Sequence, residues 1–185
     1  MKIGSLNKLL EDQLKDIFSA EHQLVKALPK MAKAASAQGL KDAFTSHLEE
    51  TRGQVDRLQE VGELLEIKLA GKKCKAMKGL IKEGKEVLES DGPGPVIDAA
   101  LIAAAQRVEH YEIAAYGSVR ALAEFLSHAA ATKLLQETLD EESAADKKLT
   151  EIAEGEVMPA AQGEDDEDEE ETPPAKAKPK RTAQR

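Results

Sequence analysis

Tryptophan is absent, and two Tyr and three Phe leave aromatics at 3% of the 185 residues. So few rings argue against base-stacking platforms, sugar-binding stacks and aromatic lipid anchors. Cys74 is the single cysteine, which excludes an intrachain disulfide or a Cys-rich zinc site and fits a reducing compartment. Uncharged apolar runs of about 18 residues are missing too. The N-terminus, MKIGSLNKLLEDQLKD, meets Glu11 and Asp12 before an apolar signal core can form. These absences predict a cytoplasmic protein with no membrane partner. Basic charge is also short: 26 Lys and Arg stand against 35 Asp and Glu, a net charge of −9 that argues against nucleic acid as a partner. Neither a glycine-rich phosphate loop nor a GxSxG elbow occurs.

What is present is helix. Residues 1–155 are rich in Ala, Leu, Glu, Lys and Gln, with apolar positions at helical spacing and no alternating β-branched runs. Breakers divide this stretch into four long helices. The first runs from about Ser5 to Ser36, bent at Pro29 and stopped at Gln38-Gly39. The second spans about Lys41–Ile67, the third Pro95–Phe125 with proline in its first turn, and the fourth Ala131–Glu154. Between the second and third, the segment Leu69–Pro95 is too long for a turn and contains a short helix over Cys74–Leu88. Two short connections and one long crossover predict an all-α, ferritin-like four-helix bundle. From Gly155 the composition changes to Pro159, an acidic block Glu164–Glu171 and a basic, proline-rich end, so residues 156–185 are expected to be a disordered tail.

Writing the buried stripe of each helix at steps of three and four residues exposes the functional signal. The first helix reads Leu10, Leu14, Ile17, Glu21, Leu24, Leu28, Met31, an apolar seam broken by one carboxylate. The second reads Leu40, Phe44, His47, Thr51, Gln54, Leu58, Val61, Leu65, with Glu50 flanking Thr51. The third places Glu109 and Glu112 between Ala105 and Tyr116, and the fourth places Glu142 and Asp146 between Leu139 and Leu149. All four interruptions fall near helix midpoints, so packing gathers Glu21, Glu50, Glu109, Glu112, Glu142 and Asp146 at one level.

Buried carboxylates repel and are costly unless protonated, paired with cations or bound to metal. Lys and Arg are missing from the central stripe positions, which makes metal ions the natural counter-charge. Oxygen donors favour iron, with manganese as the alternative, over a thiolate-type zinc site. The competing reading keeps these acids at the edge of the buried face, reaching water. His47 and His110 fit an ordinary hydrogen-bonded histidine at least as well as a ligand. An internal repeat supports a shared site: AEHQLVKAL around Glu21 matches VEHYEIAAY around Glu109, and HLEETRGQ parallels TLDEESAAD. Cys74 lies among four lysines that would lower its thiol pKa, against the plainer reading of a structural thiol under the crossover.

The blocks FSAEHQLVKALPKMAKAA, HLEETRGQVDRLQEV, CKAMKGLIKEG, AAQRVEHYEIAAYGSVRALA and TLDEESAADKKLTEIA, in this order, resemble the YciE/YciF-like family of the ferritin-like superfamily over nearly all of residues 5–154. The resemblance implies a rubrerythrin-like bundle, a homodimer and a role in bacterial stress responses. The usual di-iron scheme carries Glu-x-x-His on two helices, whereas here Gly53 follows Glu50 at that spacing and Ala145 follows Glu142. The expected site therefore has Glu50 and Glu142 bridging or chelating two irons, Glu21, Glu109 and Glu112 completing the shell, and Gln54 and Asp146 in the histidine places. O2 or peroxide would oxidise the ferrous pair. Six carboxyl groups outweigh the charge of two ferrous ions, so the ferric state is expected to be favoured. The rival expectation is a non-catalytic helical dimer.

Overall fold

The computed structural model describes residues 4–162. The acidic and basic blocks expected to form a tail begin outside this range. Five helices follow one another: α1 (Leu6–Ala34), α2 (Gln38–Leu64), α3 (Lys75–Leu88), α4 (Gly94–Phe125) and α5 (Ala129–Ile152). The four long ones form the bundle, and α3 is the crossover between α2 and α4. The last helix does not end at the composition change. One wider turn of π type (Ala153–Val157) carries it through Gly155, and it continues to residue 162. Val157 is buried in this stretch, so packed chain extends past the expected domain edge.

Helix α1 runs unbroken across Pro29, but it stops four residues before Gln38-Gly39. Gly39 instead lies in the first turn of α2. The stop comes from α4, because the buried Asp98 carboxylate accepts from Ser36 N (2.8 Å), Ser36 Oγ (2.6 Å) and Ala37 N (2.6 Å). A carboxylate placed there also meets the positive end of α2. Charge-assisted bonds are the stronger kind, so Asp98→Ala, which strands these donors, is expected to cost about 3 kcal/mol. Asp98→Asn, which keeps one acceptor oxygen, should cost less. Urea unfolding of both variants measures the difference, and equal stability to the parent would refute the role given to Asp98.

The Ser36–Asp98 contact joins the end of α1 to the start of α4, and Tyr116 further along α4 reaches back to Glu21, so these helices are antiparallel. Helices α2 and α5 are antiparallel as well, with Arg57 bonded to Glu137 and Glu141 while His47 lies near Glu142. Two apolar clusters fill the bundle. One gathers Leu24, Leu28, Leu40, Phe44, Leu101, Ile102 and Leu149; the other gathers Leu10, Leu14, Ile17, Leu58, Val61, Tyr116, Val119 and Leu135. Between them lies a polar layer.

Candidate metal centre

Every helix of the bundle sends a buried polar side chain into this layer: Glu21 from α1, His47, Thr51 and Gln54 from α2, Glu109 and Glu112 from α4, and Thr138 and Glu142 from α5. Helical phase forces the placement. Glu21 lies on the same stripe as Ile17 and Leu24, which belong to opposite apolar clusters, and burying both drags the carboxylate inside.

His47, Glu109, Glu112 and Glu142 offer ligand atoms that all lie within 4.8 Å of one another. His47 Nε2 stands 3.5 Å from Glu109 Oε1 and 3.8 Å from Glu142 Oε2. Among the described residues, the buried side-chain atoms lacking a hydrogen-bond partner are Glu21 Oε2, His47 Nε2, Gln54 Oε1, Glu109 Oε2 and both oxygens of Glu112 and Glu142. All belong to this layer. Buried polar atoms are nearly always satisfied in folded proteins, so this concentration marks a place built for something else to bind. The donor set, carboxylate oxygens with one imidazole, suits a hard or borderline divalent ion.

The electrostatics agree. Burial raises the Glu21 carboxyl to about 8, helped by the charge of Glu142 and opposed by a short hydrogen bond donated by Tyr116 Oη. Burial also raises Glu109 to about 8. Glu112 is pushed well above the carboxylate range by burial and the charges of Glu21 and Glu142. Glu142 is pushed up by burial, although the neighbouring His47 opposes the shift. Burial alone would lower His47, but its bond to Glu50 and the surrounding carboxylates raise it. Without a cation this layer holds protons.

Of the expected ligands, Glu109, Glu112 and Glu142 lie in the compact group, and Glu21 is close enough for its charge to act on Glu112. Gln54 is fully buried. Its Nε2 donates to Glu141 Oε2 (3.1 Å), and Arg57 grips the same carboxylate at 2.7 and 2.8 Å, leaving Gln54 Oε1 without a partner. Glu50 and Asp146 depart from expectation, since neither is buried and both lie at the rim of the layer, outside the compact group. The Glu50 side chain is 46% exposed and bonds to His47 Nδ1 at 3.3 Å, at the rim. Asp146 accepts from Gln106 Nε2 (3.2 Å) and faces His110, itself largely exposed. Four buried carboxyls therefore remain instead of six, and two divalent ions match their charge. The expected bias towards the ferric state loses its electrostatic basis.

His47 enters the group although its sequence context favoured an ordinary histidine equally. The signal was the reversed motif His47-x-x-Glu50, which places imidazole and carboxylate one turn apart in the opposite order. Cys74 follows the plainer reading of a structural thiol under the crossover. It is buried, caps α3 by accepting from Met77 N, and lies 3.0 Å from Tyr111 Oη. Burial and the Asp16 carboxylate push its thiol up, while Lys72 pairs with Asp12 and Asp16 instead of activating it.

The model of a domain of unknown function, DUF892, matches residues 5–162. The chain belongs to the DUF892 family. This DUF892 protein is 51% identical over 154 residues to Protein YciF of Escherichia coli, covering 83% of the chain and 93% of that relative. The crystal structure of the E. coli stress protein YciF superposes with a TM-score of 0.80 at 51% identity, over 82% of this chain and 96% of that one. YcfI of Rhodopseudomonas palustris gives 0.78 at 46% identity, over 80% and 95%. A Xanthomonas campestris protein with 20% identity gives 0.69 over 87% and 99%, a likeness of fold alone. The YciF-like helical bundle expected from the five sequence blocks is thus established for this DUF892 member. Among its described residues no helix is long and apolar enough to cross a membrane.

Proposed function

We propose that this protein binds two divalent metal ions, iron with manganese as the alternative, in the polar layer, and that it serves a stress-related role through oxidation of Fe(II) by O2 or peroxide. The observation that carries this reading is the compact group of His47, Glu109, Glu112 and Glu142 with its unpartnered ligand atoms. In this reading Glu112 and Glu142, whose oxygens have no hydrogen-bond partner, would hold the ions together with His47, Glu109 and Glu21. Bound iron supplies one-electron redox chemistry at a site screened from bulk water. The protein's own part is to hold the carboxylates and to release their protons: Tyr116 orients Glu21, and the Arg57–Glu141 pair fixes the Gln54 amide. The stress role rests on the 51% identity to the E. coli protein described as a stress protein.

Calorimetric titration of metal-free protein with Mn(II) or Fe(II) tests the binding. Two ions per chain are expected for the parent, and a Glu112→Gln, Glu142→Gln double variant should bind neither. Identical isotherms for the two proteins would sink the proposal. Redox activity is read separately, from the near-ultraviolet ferric absorbance after peroxide is added to anaerobically loaded protein, where oxidation no faster than that of free Fe(II) leaves only metal holding.

A further inference from the structure

We infer that the cleft between α2 and α5 is the route by which divalent cations reach the polar layer, and that Glu50 is the residue that passes them inward. The inference rests on the metal-centre reading above and adds to it a direction of entry and a transfer residue. The cleft measures about 660 Å³ and is lined by Asp42, Ser46, His47 and Glu50 on α2, by Glu109 at its floor, and by Glu141 and Lys148 on the α5 side. Two of these, His47 and Glu109, are buried and each presents a ring nitrogen or oxygen with no hydrogen-bond partner. The floor of an open cleft thus consists of the outermost two members of the compact group. Glu21, Glu112 and Glu142 lie wholly buried behind them.

The wall leading down to that floor is a ladder of oxygen donors. Asp42, Ser46 and Glu50 are spaced four residues apart, which stacks them along one face of α2. All three are exposed. Glu50 is the lowest rung, with one oxygen 3.4 Å from Ser46 Oγ and the other 3.3 Å from His47 Nδ1. The opposite ring nitrogen of His47 faces Glu109 and Glu142. Glu50 and the buried group therefore touch the same imidazole from its two sides. A hydrated cation that exchanges water for the Glu50 carboxylate has its next ligands within one side-chain rotation, because the glutamate is long and half-exposed and can swing between rotamers. Asp42 and Glu50 outnumber the single lysine lining the cleft, Lys148, so its field draws cations in.

The contrasting groove between α1, α3 and α4 is unsuited to the task. It is smaller, about 140 Å³, is walled by residues such as Leu80, Ile81 and Leu88, and carries Lys26, Lys30 and Lys85. A cation entering there meets like charge and no oxygen ladder.

Stopped-flow uptake of Co(II) by metal-free protein, read from its visible absorbance, tests the route, with release into excess chelator giving the off-rate. Removing a transfer residue slows both directions, whereas removing a ligand speeds release. Glu50→Ala is expected to lower uptake and release together by about tenfold, the lower end of what a focusing cleft contributes to association. Ala145→Phe, which obstructs the cleft from α5 without touching the compact group, should do the same, and Lys148→Glu should accelerate uptake. Faster release from Glu50→Ala would make it a ligand and overturn the inference, as would parent-like rates in both Glu50→Ala and Ala145→Phe. Failure of the parent to bind Co(II) at all would instead refute the metal centre itself.

Discussion

Saturating the metal-free protein with Mn(II) should raise its unfolding midpoint sharply. An ion that binds only the folded state at about 100 times its dissociation constant adds about 2.7 kcal/mol. For a domain of this size that corresponds to roughly 5–10 °C for each ion bound. The effect follows from the energetics of the polar layer, where four carboxyls and an imidazole are packed between two apolar clusters, each with at least one polar atom lacking a partner. A cation relieves repulsion and satisfies those atoms at once. The Glu112→Gln, Glu142→Gln double variant should show no metal-dependent shift, because the charge that attracts the ions is halved and two carboxylates become neutral amides. Differential scanning calorimetry with Mn(II) and with chelator measures both, and a midpoint indifferent to metal in the parent would mean that no preformed site exists.

The metal-free protein should also lose stability as pH rises from about 4.5 to about 8, the reverse of ordinary acid unfolding. Glu21 and Glu109 are raised from 4.5 to about 8 in the folded state, chiefly by burial. Between those limits the folded protein keeps protons that the unfolded chain has released, so each retained proton tilts stability downward by about 1.4 kcal/mol per pH unit. This contribution is complete below the unfolded value and is lost as pH passes through the folded one. His47, raised above 6.5, acts in the same direction, its contribution disappearing as pH climbs through its folded value. Metal reverses the trend, because binding displaces those protons and strengthens with pH. Urea midpoints at about pH 5.5 and 8.5, with chelator and then with Mn(II), should therefore change in opposite senses. Parallel behaviour in the two conditions would show that the carboxyls are not protonated in the metal-free core.

Much of the site was legible in the sequence because a helix turns by a constant angle. The stripes written for the first and third long helices are buried throughout, from Leu10 to Met31 and from Ala105 to Tyr116. In the second, the stripe holds from Leu40 to Val61 and places His47, Thr51 and Gln54 inside. The exposed Glu50 was preferred as a ligand on chemistry, against phase. One residue is about 100° of rotation, and that rotation puts Thr51 in the core and Glu50 at the rim. The internal repeat shows the same offset: aligning HLEET with TLDEE pairs Thr51 with Glu142 and Glu50 with Glu141, and both Glu50 and Glu141 lie outside the compact group. The two halves of the repeat share a helical phase without sharing a ligand set.

By itself the sequence determined the all-α bundle, its crossover helix, and the midpoint level at which carboxylates meet, because these follow from local propensity and from periodicity that acts within one helix. Tertiary structure alone decided where α1 stops, since the stop is a carboxylate 62 residues away in α4 and no local residue signals it. It alone made the buried His47 a member of the compact group, left Asp146 at the rim, and set Cys74 against Tyr111. Which of several polar side chains on adjoining faces becomes a ligand depends on how far neighbouring helices rotate about their axes to close the two apolar clusters. That rotation is fixed by contacts between helices, and contacts between helices are not written in the spacing of any one of them.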